Sequence, residues 1–332
     1  MKNRLYRYLK LFLILSLPFL LITAFYSQVT QKVDTPNTQL AISDCRVVVS
    51  QLGKTCVPLQ PERIIVTDEV ALDAVLGLGL KPVATAEANL VSNEGAHLTG
   101  KLEGVTSLGK RSQTNVERMV KLHPDLIVGF FMNSQNYGLF PQIAPTIKLD
   151  VKYVKGTWKD SLLEIAEVLG RTKEAENAIA NYQQRIIKLR KAIEHKFGKI
   201  EVSVTRFYGG RKNLPQFDTV FSFSGGILQE LGLSVPPEQI ELTTDPDTFS
   251  VPVSLERIDL LDADVLFVML DPGAEENFKR YQESPLWQKL NVVQNKRVYT
   301  VDSSYWWLGN ILAANAILDD LNKYLINTPD QN

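Results

Sequence analysis

The sequence predicts an α/β fold of two similar lobes with mostly parallel sheets, bridged by one long α-helix, with a ligand cleft between the lobes. The first observation is an internal echo at an offset of 139 positions, seen in Glu117/Glu256, Arg118/Arg257, Leu122/Leu261 and Asp125/Asp264. Each copy reads as a short amphipathic helix, a tight turn at the Asp, and a buried apolar strand. The second is an alternation of short apolar runs with helical patterns on either side of a purely helical stretch, which implies parallel sheets covered on both faces. The third is the length of that stretch's second helix. A period this long exceeds any solenoid unit, so the echo means two lobes, and a cleft between lobes is a default ligand site.

Taken in order, the strand Arg63–Thr67 leads into a helix through Leu72, Val75, Leu76 and Leu78. A second strand covers Pro82–Ala86, and the Glu117 helix and a strand from Asp125 to Phe131 follow. A helix around Asn136 to Ile143 and a short strand Thr146–Leu149 close the first lobe. Trp158–Leu169 forms a helix stopped by Gly170, and Lys173 to about Lys196 a longer one with Ala175, Ala178, Ile179, Tyr182, Ile186, Leu189 and Ile193 on one face. A helix of about 24 residues spans roughly 36 Å, enough to cross between lobes, and a rigid connector predicts modest closure. The second lobe resumes at Glu201–Val204 and ends with a helix from about Asn310 to Ile326. The expected divisions are 1–27, a signal peptide or signal anchor; 28–41, a linker; 42–156, the N-terminal lobe; 157–197, the helical segment; and 198–332, the C-terminal lobe.

The N-terminal segment carries Lys2, Arg4, Arg7 and Lys10 before an uncharged run from Leu11 to Tyr26. That pattern fits an export signal, and the expected location is the periplasm. The exit Thr23-Ala24-Phe25-Tyr26-Ser27 is a poor cleavage site, so the segment is either removed or kept as an inner-membrane tether. The two cysteines, Cys45 and Cys56, flank a strand entering a hairpin turn. Exported chains oxidise such pairs, so a disulfide is expected; two unpaired cysteines in a β-ribbon is the other reading.

Composition excludes several functions. With 36 basic and 37 acidic residues and a formal net charge of −1, the chain has no basic field for nucleic acid. Its three histidines, His97, His123 and His195, are widely spaced, and no HExxH or CxxC motif supports a protein-held metal. No Walker loop, Rossmann fingerprint or Ser/His/Asp order points to catalysis, so an enzyme is not expected.

Several ordered motifs resemble the exported iron-siderophore binding proteins of ABC importers, of the ferric hydroxamate, ferric citrate and cobalamin type. They are Pro61-Glu62-Arg63-Ile64-Ile65-Val66 with Leu78-Gly79-Leu80-Lys81-Pro82-Val83, Leu108-Gly109-Lys110-Arg111 with Asn115-Val116-Glu117, and Lys121 to Ile127. Val253-Ser254-Leu255-Glu256, Leu261 to Val268 and Val298-Tyr299-Thr300-Val301-Asp302 continue the match, which covers about residues 45 to 325. The resemblance implies a monomeric receptor that takes a ferric siderophore, hydroxamate-type favoured, and delivers it to an inner-membrane permease dimer. It needs no cofactor, because iron arrives already chelated.

The resemblance also assigns residues. Glu117 and Glu256 match the family's transporter-docking carboxylates, although a Glu in a first helical turn also simply stabilises the helix. Arg111 matches an arginine that meets the iron-coordinating oxygens in hydroxamate binders, a role suited to a guanidinium fork. Phe130, Phe131, Asn133 and Tyr137 follow the Asp125 strand, where the family places an aromatic. Arg206 and Tyr208 follow the Glu201 strand, Trp306 and Trp307 follow the strand ending at Asp302, with one of the two lining the pocket, and Trp158 opens the first long helix. Core packing is the competing expectation for each aromatic. Ferric citrate, a catecholate, cobalamin and haem stay open as ligands. A bare ferric ion held by tyrosines and an enzyme acting on chelates are remoter readings.

Overall fold

A computed structural model describes residues 45–50, 53–88, 95–132, 137–150, 158–210 and 213–327. The expected signal segment 1–27, the linker 28–41 and Asn133 lie outside the described residues. Strands β1 (Cys45–Ser50) and β2 (Gly53–Pro58) form an antiparallel hairpin, and Cys45 and Cys56 are disulfide-bonded with Cα atoms 5.5 Å apart. The Arg46 side chain fastens this hairpin to the body by donating to the carbonyls of Glu167, at 3.0 Å, and Leu59.

The first lobe follows as β3 (Ile64–Val66), α1 (Glu69–Gly77), β4 (Ala84–Glu87), β5 (Thr106–Lys110), α2 (Val116–Lys121), β6 (Leu126–Gly129) and β7 (Thr146–Lys148). Its sheet has the order β5-β4-β3-β6-β7, and every neighbouring pair is parallel. All its strand C-termini therefore share one edge. The strand order reverses between β3 and β6, the place where open α/β sheets bind ligands. Here Asp68 closes the crevice. One carboxylate oxygen accepts from the Ala71 amide at 3.0 Å, capping α1; the other accepts from the Phe130 and Phe131 amides at 2.8 and 3.0 Å. Gly129 permits this approach, since a Cβ there would collide with the Thr67 and Asp68 side chains.

Helices α3 (Trp158–Leu169) and α4 (Thr172–Phe197) join the lobes. Gly170, at φ 68°, ends α3, and Gly198, at φ 70°, ends α4. At 26 residues, α4 runs about 39 Å. It buries Ala175, Tyr182, Ile186, Leu189 and Ile193, the stripe expected from the sequence.

The second lobe contains β8 (Val202–Phe207), β9 (Gln216–Asp218), α5 (Phe223–Glu230), α6 (Pro237–Glu241), β10 (Ser250–Pro252) and β11 (Val265–Leu270). It continues with α7 (Glu275–Gln282), α8 (Asn291–Gln294), β12 (Val298–Asp302), α9 (Ser303–Trp306) and α10 (Ile311–Leu321). The sheet order is β10-β9-β8-β11-β12; β8, β11 and β12 run parallel, while β9 is antiparallel to both β8 and β10. The second copy of the internal echo differs from expectation. Leu255–Leu261 is a 3-10 stretch with Arg257 outside helical geometry, and Ser254 offers no side-chain cap. In α2 the Asn115 side chain caps by accepting from the Arg118 amide at 2.9 Å. The repeated aspartates keep one role: Asp125 accepts from the Glu62 and Arg63 amides at 2.7 and 3.0 Å, and Asp264 from the Glu201 amide at 2.8 Å. Each ties its turn to the start of the adjoining parallel strand.

One apolar core crosses both lobes. It includes Ile64, Val66, Leu126 and Val128 from the first sheet, Val202, Val204, Val265 and Phe267 from the second, and α1, α3, α4 and α10. Alternate residues serve smaller outer cores, Ile65 and Ile127 in one lobe and Leu266 and Val268 in the other. Helix α1 crosses α10 closely, since a side chain on Gly77 would strike Ile311. The buried Asp73 of α1 also caps α10, accepting from the Leu312 and Ala313 amides at 2.8 Å each.

Candidate ligand-binding site at the sheet edges

Residues just after parallel strands project from a shared edge, so the two C-terminal edges collect the polar and aromatic side chains. The edges meet at one end. There the Ala96 amide, in the connection after β4, donates to Asp302 at the end of β12 at 3.3 Å, and the His97 ring lies 5.1 Å from that of Tyr305. His97 is held down to about 4 chiefly by burial, and burial pushes Asp73 up to about 6, so their 3.7 Å approach is no ion pair at neutral pH.

On the first lobe's edge, Arg111 follows β5 and is partly exposed. Its Nη1 donates to both oxygens of Glu69 at 3.2 Å, and its guanidinium lies 4.8 Å from the centre of the Phe131 ring. Burial and the neighbouring Asp68 charge raise Glu69 above the usual carboxylate range, and Arg111 opposes them. Tyr137, half-buried, has the Lys148 ammonium 5.2 Å above its ring. Arg111, Phe131 and Tyr137 thus stand at this edge as expected, with Glu69 and Lys148 added.

On the second lobe's edge, Tyr208 lines a pocket of about 510 Å³ with Gly209, Asn213, Leu214, Gln216, Asp271 and Pro272. Its hydroxyl donates to Gln216 at 3.1 Å, and burial raises its pKa. Arg206 differs from expectation. It is only 1% exposed, and its Nε and Nη2 each donate to Asp271 at 2.9 Å. A buried guanidinium requires such a counter-charge. Its flat faces support the edge aromatics instead, with Trp307 4.1 Å and Tyr208 4.9 Å from the guanidinium carbon.

Three expected aromatic contacts are core residues in the structure. Phe130 continues the β6 alternation onto the face of Val128 and is 2% exposed. Trp158 packs edge-on against Tyr182 of α4 at 4.9 Å. Trp306 is fully buried, donating its indole N–H to Asp320 at 2.8 Å and packing on Phe267. Of the tryptophan pair it is Trp307, half-buried beside Tyr208 and Arg206, that stands at the edge.

Glu117 and Glu256 are both exposed, each near the start of its short helical segment, and Glu117 pairs with Lys121 at 2.7 Å. Sequence reasoning missed Glu69 and Asp271. The Asp-Pro-Gly turn after β11 was a local signal for Asp271, but its partner lies 65 residues away. Among the described residues, no group of three or more His, Cys, Asp or Glu side chains is placed to hold a metal ion.

Residues 64–305 match the model of the periplasmic binding protein family. The chain belongs to that family. A probable siderophore-binding lipoprotein of Bacillus subtilis is 32% identical over 93% of this chain and 97% of its own length. The Fe(3+) dicitrate-binding periplasmic protein of Escherichia coli is 28% identical over 81% of this chain and 86% of its own. Among solved structures, SirA of Staphylococcus aureus complexed with staphyloferrin B superposes with a TM-score of 0.73 at 26% identity, covering 86% of this chain and all of that one. Members of this family bind solutes, so the protein is a binding protein and not an enzyme.

Proposed function

We propose that the protein captures a ferric siderophore outside the inner membrane and presents it, as a monomer, to an ABC permease dimer. The observation that carries this reading is an arginine stacked on an aromatic at each sheet edge: Arg111 on Phe131, and Arg206 between Tyr208 and Trp307. Aromatic faces accommodate the organic scaffold, and Arg111 meets the chelating oxygens. Relatives named for siderophores and ferric citrate support the class. Within it we favour a hydroxamate chelate, because both arginines already have carboxylate partners, Glu69 and Asp271. A full set of hydroxamate anions cancels the charge of ferric iron and leaves nothing for a strongly cationic site to neutralise. A carboxylate chelate is the second reading, supported by the similarity to the staphyloferrin B-bound structure. Glu117 and Glu256, exposed on separate lobes, are the docking carboxylates in this proposal.

Tryptophan fluorescence tests it, using ferrioxamine B, ferric citrate, cobalamin and haem. Trp158, Trp287 and Trp306 are buried, so Trp307 is the reporter. A ferric siderophore should quench saturably, Trp307→Phe should remove most of the signal, and Arg111→Ala should weaken binding about 10-fold or more, some 1.4 kcal/mol. Saturation by cobalamin or haem and by no ferric siderophore would overturn the ligand assignment.

A further inference from the structure

We propose that Glu69 is a specificity-determining residue which, by neutralising Arg111, makes the site favour ferric chelates of low net charge over polyanionic ones. The inference rests on the ferric-siderophore reading above. Two adjacent carboxylates, Asp68 and Glu69, open α1, but they do different work. Asp68 is fully buried and fully engaged, holding the Ala71, Phe130 and Phe131 amides and the Thr67 hydroxyl. It is a fixed part of the scaffold. The Glu69 side chain is 16% exposed, and Arg111 is the partner of both its oxygens.

The pairing geometry explains why Glu69 tunes Arg111 without removing it from the site. A single guanidinium nitrogen serves both oxygens at 3.2 Å, longer than the roughly 2.7–2.9 Å of strong charge-assisted bonds. The fork is not consumed as it is in the in-register pair of Arg206 with Asp271. A chelate oxygen approaching Arg111 therefore meets a cation whose charge is already balanced. A neutral hydroxamate complex gains hydrogen bonds and aromatic contact there at little electrostatic cost. A polyanion must be held beside the Glu69 carboxylate in a partly dry site, where like charges a few ångströms apart repel strongly.

Asp68, from the same turn, and Arg111, from the end of β5, are the charged groups that act on Glu69, and burial already biases it towards its neutral form. A polyanionic chelate at Arg111 should drive that protonation; a neutral chelate should not.

The test compares wild type with Glu69→Gln, titrating ferrioxamine B and ferric citrate by tryptophan fluorescence. We expect ferric citrate to bind about 10-fold more tightly to the variant, while ferrioxamine B changes by no more than ~3-fold or weakens. Equal changes for both chelates, or none, overturn the proposal. A second measurement needs only wild type: calorimetry in two buffers of different ionisation heat should show proton uptake with ferric citrate that is absent with ferrioxamine B. Indistinguishable proton counts overturn the proposal even if Glu69→Gln does not fold. A wild type that binds neither chelate overturns the ferric-siderophore reading and this inference together. One that binds them with a preference indifferent to residue 69 overturns this inference alone.

Discussion

The two lobes treat an arginine–carboxylate pair in opposite ways. In the first, Arg111 and Glu69 sit near the surface, with side chains 22% and 16% exposed, and share one nitrogen. In the second, Arg206 and Asp271 are 1% and 6% exposed and form a complete fork. Burial decides the difference. An ion pair in contact with water contributes little to stability and rearranges cheaply; a buried one is indispensable once built, because removing one partner strands the other's charge. In the proposed function, one lobe thus presents an adjustable cation to the ligand. The other spends its cation on holding Tyr208 and Trp307 in place.

Removing the two carboxylates gives the largest test of this contrast. Asp271→Ala should cost about 3–5 kcal/mol by leaving Arg206 buried and unpaired, whereas Glu69→Gln should cost less than ~1 kcal/mol, both read from urea denaturation. Comparable losses would erase the distinction between the lobes.

A second, smaller effect is specific to the second lobe. Asp218 lies buried near Arg206, and burial pushes its carboxyl from 3.8 up to about 7. Between those values the folded chain keeps a proton that the unfolded chain has lost, so stability falls as pH rises, at up to ~1.4 kcal/mol per pH unit. Asp73, raised from 3.8 to about 6, adds a slope of the same sign below pH 6. His97, lowered from 6.5 to about 4, gives the opposite sign over nearly the same range and offsets it. Asp218→Asn should therefore flatten the decline seen in denaturation curves between pH 5 and 7. An unchanged slope would show that the arginine's surroundings in the second lobe do not titrate as a buried site.

A further effect lies where the lobes meet. Asp73→Ala removes the carboxylate that receives the Leu312 and Ala313 amides, and it should cost about 1 kcal/mol, the usual value of a helix cap. Hydrogen exchange at those two amides should accelerate while the outer cores stay protected. Uniform acceleration would mean that the interface is not a local contact.

The architecture was legible because it rests on periodic patterns. The stripe through Tyr182, Ile186, Leu189 and Ile193 and the glycine stop at Gly170 are local, and α4 follows from them. Strands β9 and β10, three residues each, are too short to show a period, so the antiparallel part of the second sheet went unseen. In the candidate site, the placement of Arg111, Phe131 and Tyr208 at the sheet edges was readable from their position after strands. Phe130 was misassigned despite a usable signal, since a residue two positions beyond Val128 faces the same side of the sheet. Trp158 likewise begins the spacing of Leu162, Ile165 and Leu169 that marks a buried helical face. The burial of Arg206 had no comparable signal. It depends on Asp271, on another strand's far end, and only the parallel register of β8 with β11 brings the two together.

The apolar core shared by both sheets bears on how the molecule comes apart. Each lobe has an outer core of its own, but neither owns the larger inner one: without the second lobe, Ile64, Val66 and the inner faces of α1 and α4 would be wetted, and the converse holds for Val202, Phe267 and α10. Heating should therefore melt the described body in one cooperative transition. A fragment cut after β7 would be an exposed half-interface prone to aggregate, so the internal echo of the sequence does not make the halves separable parts.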